Sequence, residues 1–365
     1  MASADADLPL SRYRPRARLT LPAHYVPTAR FPAVDAHSHP GRWLSAWVGR
    51  PGEWLVPDVG AWLERMADFN VHGFVNLDGR WGDELRANLE RFDERYPGRV
   101  ATFCHVDWSL LQGASPAEAL AANLADSVAA GAAGVKVWKD LGLEVRDGAD
   151  ELVLPDDERL AGVWQTAGEL NVPIWWHIAD PVAFFDPVDE RNEFLELLSR
   201  RPDWSFADPR FPSFQRLMDA MEAVVASNPG TTFVGVHVGC FAEDLGWVGR
   251  MLDTYDNFHI DIAARLSQLG RQPRATEALI LRHPERVLFG CDEVPHTGES
   301  YPTHFRFLET SDEHFPYSAD DPPLSGRWAI SGVDLPDDVL RSVYAGNACR
   351  LVPRLRPPTP DRIQP

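Results

Sequence analysis

Short apolar runs rich in β-branched residues recur along the chain, and each is followed by a segment whose apolar positions have helical spacing. The apolar runs predict eight β-strands, over residues 33–39, 71–78, 100–108, 133–139, 172–178, 232–239, 257–265 and 286–293. The amphipathic segments predict helices over residues 58–70, 115–131, 156–170, 214–228, 242–255 and 336–352. Strands that alternate with helices over about 320 residues predict an α/β fold, a distorted (β/α)8 TIM barrel.

A doubly wound parallel sheet is the alternative architecture for this pattern. That fold usually carries a glycine-rich phosphate-binding turn after its first strand, and the sequence contains neither GxGxxG nor GxxxxGK[ST]. We therefore expect one barrel domain over residues 31–352, with an N-terminal arm at 1–30 and a proline-rich tail at 353–365. Long connections follow strands one, five and eight, at 40–57, 179–213 and 294–333. They leave the end of the barrel where active sites lie.

Charge and composition narrow the function classes. The 365 residues include 35 Lys and Arg against 54 Asp and Glu, a net charge of −19 that would repel nucleic acid. No apolar stretch is long enough for a membrane span, and the N-terminus lacks the apolar segment of a secretory signal. Four widely spaced cysteines without a CxxC pair indicate reduced thiols and a cytoplasmic protein. We expect a small-molecule substrate, and a homodimer as the default assembly.

Candidate chemistry lies at the carboxyl ends of the predicted strands. Strand one ends with His37 and His39, which alternation places on the same side of the strand, about 7 Å apart, where they can share a divalent metal. His177, His237 and Asp292 close strands five, six and eight, where polar residues are costly unless they are paired or ligated. Imidazoles with a carboxylate suit Zn²⁺, Mn²⁺ or Fe²⁺, with Zn²⁺ favoured by the imidazole content. The alternative is a set of hydrogen-bonded histidines without metal.

The motifs VDAHSH, WWHIAD, VGVHVG, LFGCDE and YAGNACRLV together resemble the amidohydrolase superfamily, in the amidohydrolase-related branch that also contains the aminocarboxymuconate-semialdehyde decarboxylase-like enzymes. The resemblance covers roughly residues 31–352. It implies a metal-dependent TIM-barrel enzyme with one metal ion held by His37, His39, His177 and Asp292. It also implies that His237 is a catalytic histidine beside the metal.

A mechanism follows from the electrostatics of such a site. A divalent metal lowers the pKa of its water and polarises a carbonyl oxygen. Asp292 would accept the water proton and later return it to a leaving group, and His237 would bind the developing oxyanion or transfer a proton. The family usually has threonine before the strand-eight aspartate, whereas this chain has Cys291, which leaves the local hydrogen bonding open.

Lysine is nearly absent from the chain, which has 33 arginines and two lysines, Lys136 and Lys139, both at the end of strand four. Lysine offers a compact ammonium whose pKa shifts on burial, which arginine does not. We expect one of them to donate to a substrate carboxylate or oxyanion. The alternatives are a carboxylated lysine that bridges two metals, as in binuclear relatives, or two exposed lysines.

Two further residues are candidates for substrate binding. Arg265, after strand seven, is suited to bind a substrate carboxylate. The alternative is that it forms an ion pair with a nearby aspartate. Trp138 is a candidate to line an apolar pocket, with plain core packing as the alternative.

These features predict a metal-dependent hydrolase acting on an amide, ester or lactone of a small organic acid or aromatic compound. One alternative is a metal-dependent non-oxidative decarboxylase (a lyase) of an aromatic or unsaturated carboxylic acid. The other is a barrel that binds a ligand without turnover, which the intact set of potential ligands disfavours. The substrate is set by the three long connections, which carry no motif that identifies it.

Overall fold

All eight apolar runs form β-strands in the computed structural model, which describes residues 8–323 and 325–356. The strands are β1 Ala33–Ser38, β2 Val71–Asn76, β3 Val100–Thr102, β4 Val135–Val137, β5 Ile174–Trp176, β6 Phe233–Gly235, β7 Phe258–Asp261 and β8 Val287–Leu288. Every paired neighbour among them is parallel. Most strands are shorter than their apolar runs because the chain leaves the sheet before the polar residues at the carboxyl end.

The strands form one sheet in the order β1-β2-β3 and a second in the order β4-β5-β6-β7-β8. Between β3 and β4, the backbone N–H of Lys136 donates to the carbonyl of Cys104 at 2.7 Å. Between β8 and β1, the N–H of Ala36 donates to the carbonyl of Phe289 at 2.9 Å, although no strand ladder closes this edge within the described residues. The predicted (β/α)8 barrel, distorted, is confirmed.

Helices and helical turns connect the strands. They are α1 Val59–Asp68, α2 Gly82–Asn88, α3 Pro116–Ala130, α4 Ala161–Glu169, α5 Leu195–Arg200, α6 Phe214–Ser227, α7 Val236–Gly239, α8 Leu245–Thr254, α9 Leu266–Leu269, α10 Pro273–Arg282, α11 Tyr301–Glu309, α12 Asp337–Arg341 and α13 Asn347–Leu351. The predicted helix over 336–352 is therefore divided, with a π-helical stretch at Ser342–Gly346 between α12 and α13. Within the described part of the chain, no helix is both long enough and apolar enough to span a membrane.

Helix α6 illustrates how the local sequence builds the outer layer. The Ser213 hydroxyl accepts the N–H of Arg216 at 3.2 Å and so caps the first turn. Apolar residues at the helical spacing, among them Leu217, Met221 and Val224, are buried in the common core. The cap therefore stabilises the first turn of the helix, and one apolar face packs the helix against the core.

The three long connections contain structure of their own. The second includes α5, and the third includes α11 and a short antiparallel pair, β9 Phe315–Pro316 with β10 Ala329–Ile330. Residues 1–7 of the predicted arm and 357–365 of the predicted tail lie outside the described residues. The described part of the arm contacts the third connection through His24, whose Nδ1 lies 2.6 Å from Asp312. All four cysteines are free thiols.

Candidate metal centre and active site

Four histidines and one aspartate meet at the carboxyl end of the barrel. The Asp292 carboxylate lies among three ring nitrogens, at 3.3 Å from His39 Nε2, 3.5 Å from His37 Nε2 and 3.7 Å from His237 Nε2. His177 packs beside His237, with 4.5 Å between the ring centroids. All four imidazoles are buried, and the aspartate side chain is 23% exposed. The fold therefore brings together residues that are up to 255 positions apart in the chain.

The backbone at this end of the barrel is unusual. The N–H of Asp292 donates to the carbonyl of His37 at 3.0 Å, and Asp292 itself has a left-handed φ of 58°. After β6 the chain continues through His237 and Val238 with φ values of 57° and 63°. Left-handed backbone costs a non-glycine residue on the order of 1–3 kcal/mol, and such strain clusters at functional sites. The surrounding fold holds His237 and Asp292 in place against this cost.

A second layer of acceptors fixes the orientation of three of the rings. The Nδ1 atom of His37 lies 2.8 Å from the Asp261 carboxylate, and that of His39 lies 2.5 Å from the Asp78 carboxylate. The Nδ1 atom of His237 lies 2.9 Å from the carbonyl oxygen of Ala263. A ring that donates through Nδ1 keeps its Nε2 lone pair free. In its neutral form, each of the three rings is thus held in the tautomer that coordinates a metal through Nε2.

Burial and neighbouring charge set the protonation states. Burial lowers the pKa of His177 to about 3 and that of His237 well below its usual value. Burial also disfavours a charged His39 ring, but Asp78 and Asp292 outweigh it and raise the pKa of His39 to about 9. Burial opposes ionisation of Asp292, yet the adjacent histidines and Lys136 hold the pKa of its carboxyl below the usual range. The anionic Asp292 thus lies beside neutral His177 and His237 rings and a protonated His39 ring, and His39 has to release a proton before it can ligate a metal.

Buried ring nitrogens without hydrogen-bond partners indicate whether these histidines and Asp292 fit a metal ion. Both ring nitrogens of His177 are buried without a hydrogen-bond partner among the described residues. Such an atom costs about 1–3 kcal/mol when it is left unpaired. Donor atoms of His37, His39 and Asp292 lie within 4.8 Å of one another. Imidazole nitrogens with a carboxylate form a donor set for divalent transition metals, so the residues fit such an ion.

Both lysines lie at this end of the barrel. Strand β4 ends at Val137, so the two lysines do not follow a single strand, and alternation does not separate them. Lys136 is buried with its Nζ 3.4 Å from His37 Nε2, and burial lowers the pKa of Lys136 to about 8. Lys139 forms an ion pair with Asp180, and that carboxylate lies 3.5 Å from His177 Nε2. Neither lysine is a solvent-exposed surface residue.

A cavity of about 190 Å³ opens above the histidines and is lined by all three long connections. Its polar base includes His177, His237 and Asp292, and its aromatic wall consists of Trp47, Trp138, Phe184, Phe194 and Trp204. Trp138 also packs edge-on against His177, with 4.8 Å between the ring centroids. Trp138 is therefore a cavity wall beside a candidate metal ligand.

Arg265 also lines this cavity. Its Nη1 donates to the carbonyl of Ala264 at 2.9 Å, and its Nε is buried without a partner. No carboxylate oxygen lies within 4 Å of this guanidinium in the described part of the chain. The ion pair with a nearby aspartate is therefore not formed, because Asp261 instead binds His37.

Cys291 belongs to a buried network behind the site. Its thiol and the Tyr301 hydroxyl each donate to Asp35 Oδ2 at 2.8 Å. The other oxygen of Asp35 accepts the backbone N–H of His37 at 2.9 Å and that of Cys291 at 3.2 Å. Asp35 thus joins β1 to the end of β8 beside two candidate ligands.

The sequence pattern does not predict the roles of Asp35 and Asp78 or the contact of Asp261 with His37. Asp78 ends the predicted second strand just as His177 ends the fifth, so the rule that polar strand ends form the site would have indicated it. Asp35 lies inside the VDAHSH motif, but the spacing of that motif does not indicate Asp35 as a metal ligand. The direction of a side chain at a strand end depends on its tertiary contacts. These contacts cannot be predicted from the spacing of residues in the sequence.

A family model described as amidohydrolase matches residues 34–354. The chain therefore belongs to the amidohydrolase family and is an enzyme of that family, as its motifs predicted. No protein in a search of curated proteins matches the sequence.

Solved structures share the fold. The 2,6-dihydroxybenzoate decarboxylase from Rhizobium is 16% identical with a TM-score of 0.56, over 88% of this chain and 99% of that one. A dihydroxybenzoic acid decarboxylase from Polaromonas sp. JS666, with bound manganese and the inhibitor 2-nitroresorcinol, is 14% identical with a TM-score of 0.54, over 89% and 98%. An amidohydrolase from Burkholderia multivorans with bound zinc is 14% identical with a TM-score of 0.50, over 88% and 99%. At these identities the likeness establishes the fold.

Proposed function

We propose that this enzyme is a metal-dependent hydrolase that acts on an amide, ester or lactone of a small organic acid or aromatic compound. The observation that carries the proposal is the convergence of His37, His39 and His237 on the anionic Asp292 at the base of a cavity. We assign metal binding to His37, His39, His177 and Asp292, with Zn²⁺ as the most suitable ion and Mn²⁺ or Fe²⁺ as alternatives. When bound, such an ion supplies Lewis acidity, which acidifies water and polarises a carbonyl group.

Asp292 and His237 handle protons in this proposal. Asp292, anionic at neutral pH, accepts a proton from the attacking water and returns it to the leaving group. His237 donates through Nδ1 to Ala263 and therefore presents Nε2 as an acceptor. This favours proton transfer over oxyanion binding as the role of His237, because a neutral ring has no second N–H to donate.

The remaining candidates bind and orient the substrate. The Arg265 guanidinium, which has no carboxylate within 4 Å among the described residues, binds an anionic group of the substrate, while Trp138 packs against the planar body of the substrate. Lys136 is near enough to His37 to donate to a developing oxyanion. Lys139 is already paired with Asp180, so we assign it a positioning role between β4 and the loop after β5.

Non-oxidative decarboxylation of an aromatic carboxylic acid is the second candidate. The aromatic walls together with Arg265 suit an aromatic carboxylate, and two relatives of the same fold are named as dihydroxybenzoate decarboxylases. In this case Asp292, once protonated, would deliver its proton to the ring carbon that loses CO₂.

Product analysis on the metal-loaded enzyme separates these functions. A panel of aromatic amides, esters, lactones and hydroxybenzoates would be incubated in H₂¹⁸O, with Asp292→Asn as the inactive control. Incorporation of ¹⁸O into a product acid supports the hydrolase, and release of CO₂ supports the decarboxylase. If neither product forms across the panel while ligands bind, the barrel binds without turnover.

Metal content tests the centre itself. We expect about one transition-metal ion per chain by elemental analysis, and loss of metal or activity in His37→Ala, His177→Ala and Asp292→Ala. Two ions per chain would favour the alternative in which carboxylated Lys136 bridges them. Full activity after exhaustive chelation would refute the metal-dependent mechanism.

We also infer a homodimer and a cytoplasmic location. Light scattering of the purified protein and fractionation of cells that produce it would check these two inferences.

A further inference from the structure

A second cavity, of about 300 Å³, adjoins the first at the carboxyl end of the barrel. Trp138 lines both cavities, and Lys136, which contacts His37, lines the second. Its other polar lining includes Arg80, His105 and Asp140. The proposed reaction uses none of these three residues.

Arg80 is held in this cavity by its backbone and by aromatic rings. It lies two residues after Asp78, in the loop that follows β2, and has a left-handed φ of 57°. Its guanidinium packs over the ring of Trp81 at 4.1 Å and near that of Trp43 at 5.6 Å. Strained non-glycine backbone persists where the surrounding structure enforces it, often at a binding site.

Arg80 has no direct ion pair among the described residues, although Asp107 and Asp140 lie on the same cavity lining. Within the described residues, no carboxylate oxygen lies within 4 Å of the guanidinium, and its hydrogen bond goes from Nη1 to His105 Nδ1 at 3.4 Å. His105 donates through Nε2 to the carbonyl of Leu77 at 2.7 Å, so its Nδ1 is an acceptor. The ring thus orients Arg80 without cancelling its charge. The remaining N–H groups of Arg80 are left for a ligand.

We propose that this cavity binds one carboxylate of the substrate, with Arg80 as its anchor. Guanidinium forms paired, charge-assisted hydrogen bonds with carboxylates, and Trp81, Trp108 and Trp138 provide flat apolar walls for an aromatic body. Asp107 and Asp140, on the same lining, disfavour a second anionic group beside the carboxylate that Arg80 binds. The substrate is then an aromatic or planar organic acid whose carboxylate lies apart from the reacting bond. The identification of the ligand as the substrate rests on the proposed function, whereas the binding of the anion does not.

Benzoate and its neutral analogue benzamide are the probes for this site. Binding to the full-length protein would be measured by calorimetry, both with zinc bound and after chelation, so that coordination to a metal is separated from binding in the cavity. We expect benzoate to bind in both states and more tightly than benzamide. Arg80→Gln should weaken benzoate binding about tenfold or more, the scale of a charge-assisted pair. Arg80→Lys keeps the charge but not the paired hydrogen-bond geometry, so its affinity for benzoate should lie between those of the wild type and Arg80→Gln.

Arg265→Gln, in the first cavity, is the matched control, and thermal melts would confirm that each variant is folded. The proposal is overturned if benzoate does not bind, if Arg80→Gln binds it as the wild type does, or if Arg265→Gln alone abolishes binding. Hydrolysis and CO₂ release are assayed separately. Benzoate binding that depends on Arg80 in a protein without turnover would therefore refute the proposed function and leave this site standing.

Discussion

Asp261 offers the sharpest test of how the candidate metal site is organised. It is fully buried at the end of β7, with Oδ2 2.8 Å from His37 Nδ1. Its Oδ1 accepts the backbone N–H of His237 at 2.7 Å and that of Ala263 at 3.2 Å. One carboxylate therefore fixes the ring of a candidate ligand and the backbone of a candidate catalytic residue.

Asp261→Asn keeps the shape of the side chain but replaces one oxygen with an amide nitrogen. The remaining oxygen is required by the two backbone N–H groups, so the amide N–H faces His37 Nδ1. Two donors cannot share a hydrogen bond, and the His37 proton must move to Nε2, which removes the lone pair for the metal. Loss of an outer-shell partner costs 10–100-fold in metal affinity, and the forced tautomer places this variant near 100-fold, or about 2.7 kcal/mol.

Zinc affinity would be measured by competition with a chromophoric chelator, alongside the melting temperature of the metal-free protein. Asp256→Asn is the matched control, because it makes the same chemical change just before β7 at an exposed residue paired with Arg286. We expect this control to bind zinc as the wild type does. If Asp261→Asn also binds zinc with wild-type affinity, the tautomer argument is wrong. A lower melting temperature with unchanged affinity would give Asp261 a purely structural role.

Three further substitutions test other parts of the site. His237→Asn should lower kcat by on the order of 10²-fold while metal content by elemental analysis stays near normal, and an equal loss of metal would make His237 a ligand. Lys136→Arg should destabilise the buried site by about 1–3 kcal/mol in urea unfolding and lower kcat/KM, whereas Lys139→Arg keeps its ion pair and most activity. Wild-type kcat/KM in both variants would remove lysine from the mechanism. Cys291→Val removes a donor to Asp35 and should cost about 1–3 kcal/mol of unfolding free energy, while Cys291→Thr, which restores a hydroxyl donor, should cost less.

Much of the fold can be predicted from local patterns of apolar and polar residues in the sequence. Strand and helix periods are properties of short segments, so the eight strands and their order could be predicted from apolar runs alone. The same period-two rule places His37 and His39 on one side of β1. The end of each strand is harder to locate, because it depends on where neighbouring strands stop pairing. Lys139 illustrates this, since it lies inside the predicted fourth strand at 133–139, whereas β4 ends at Val137.

By itself, the sequence determined the barrel, the family and the chain positions from which ligands could come, because these depend on local spacing and on motifs. Tertiary structure decided which atoms meet. The hydrogen bond from His37 to Asp261 spans 224 positions. Among the described residues, no carboxylate oxygen lies within 4 Å of the Arg265 or Arg80 guanidinium, although both side chains line cavities at the carboxyl end of the barrel. Hydrogen bonding and charge compensation act over a few ångströms in space. No rule of spacing along the chain fixes such distances between separate strands.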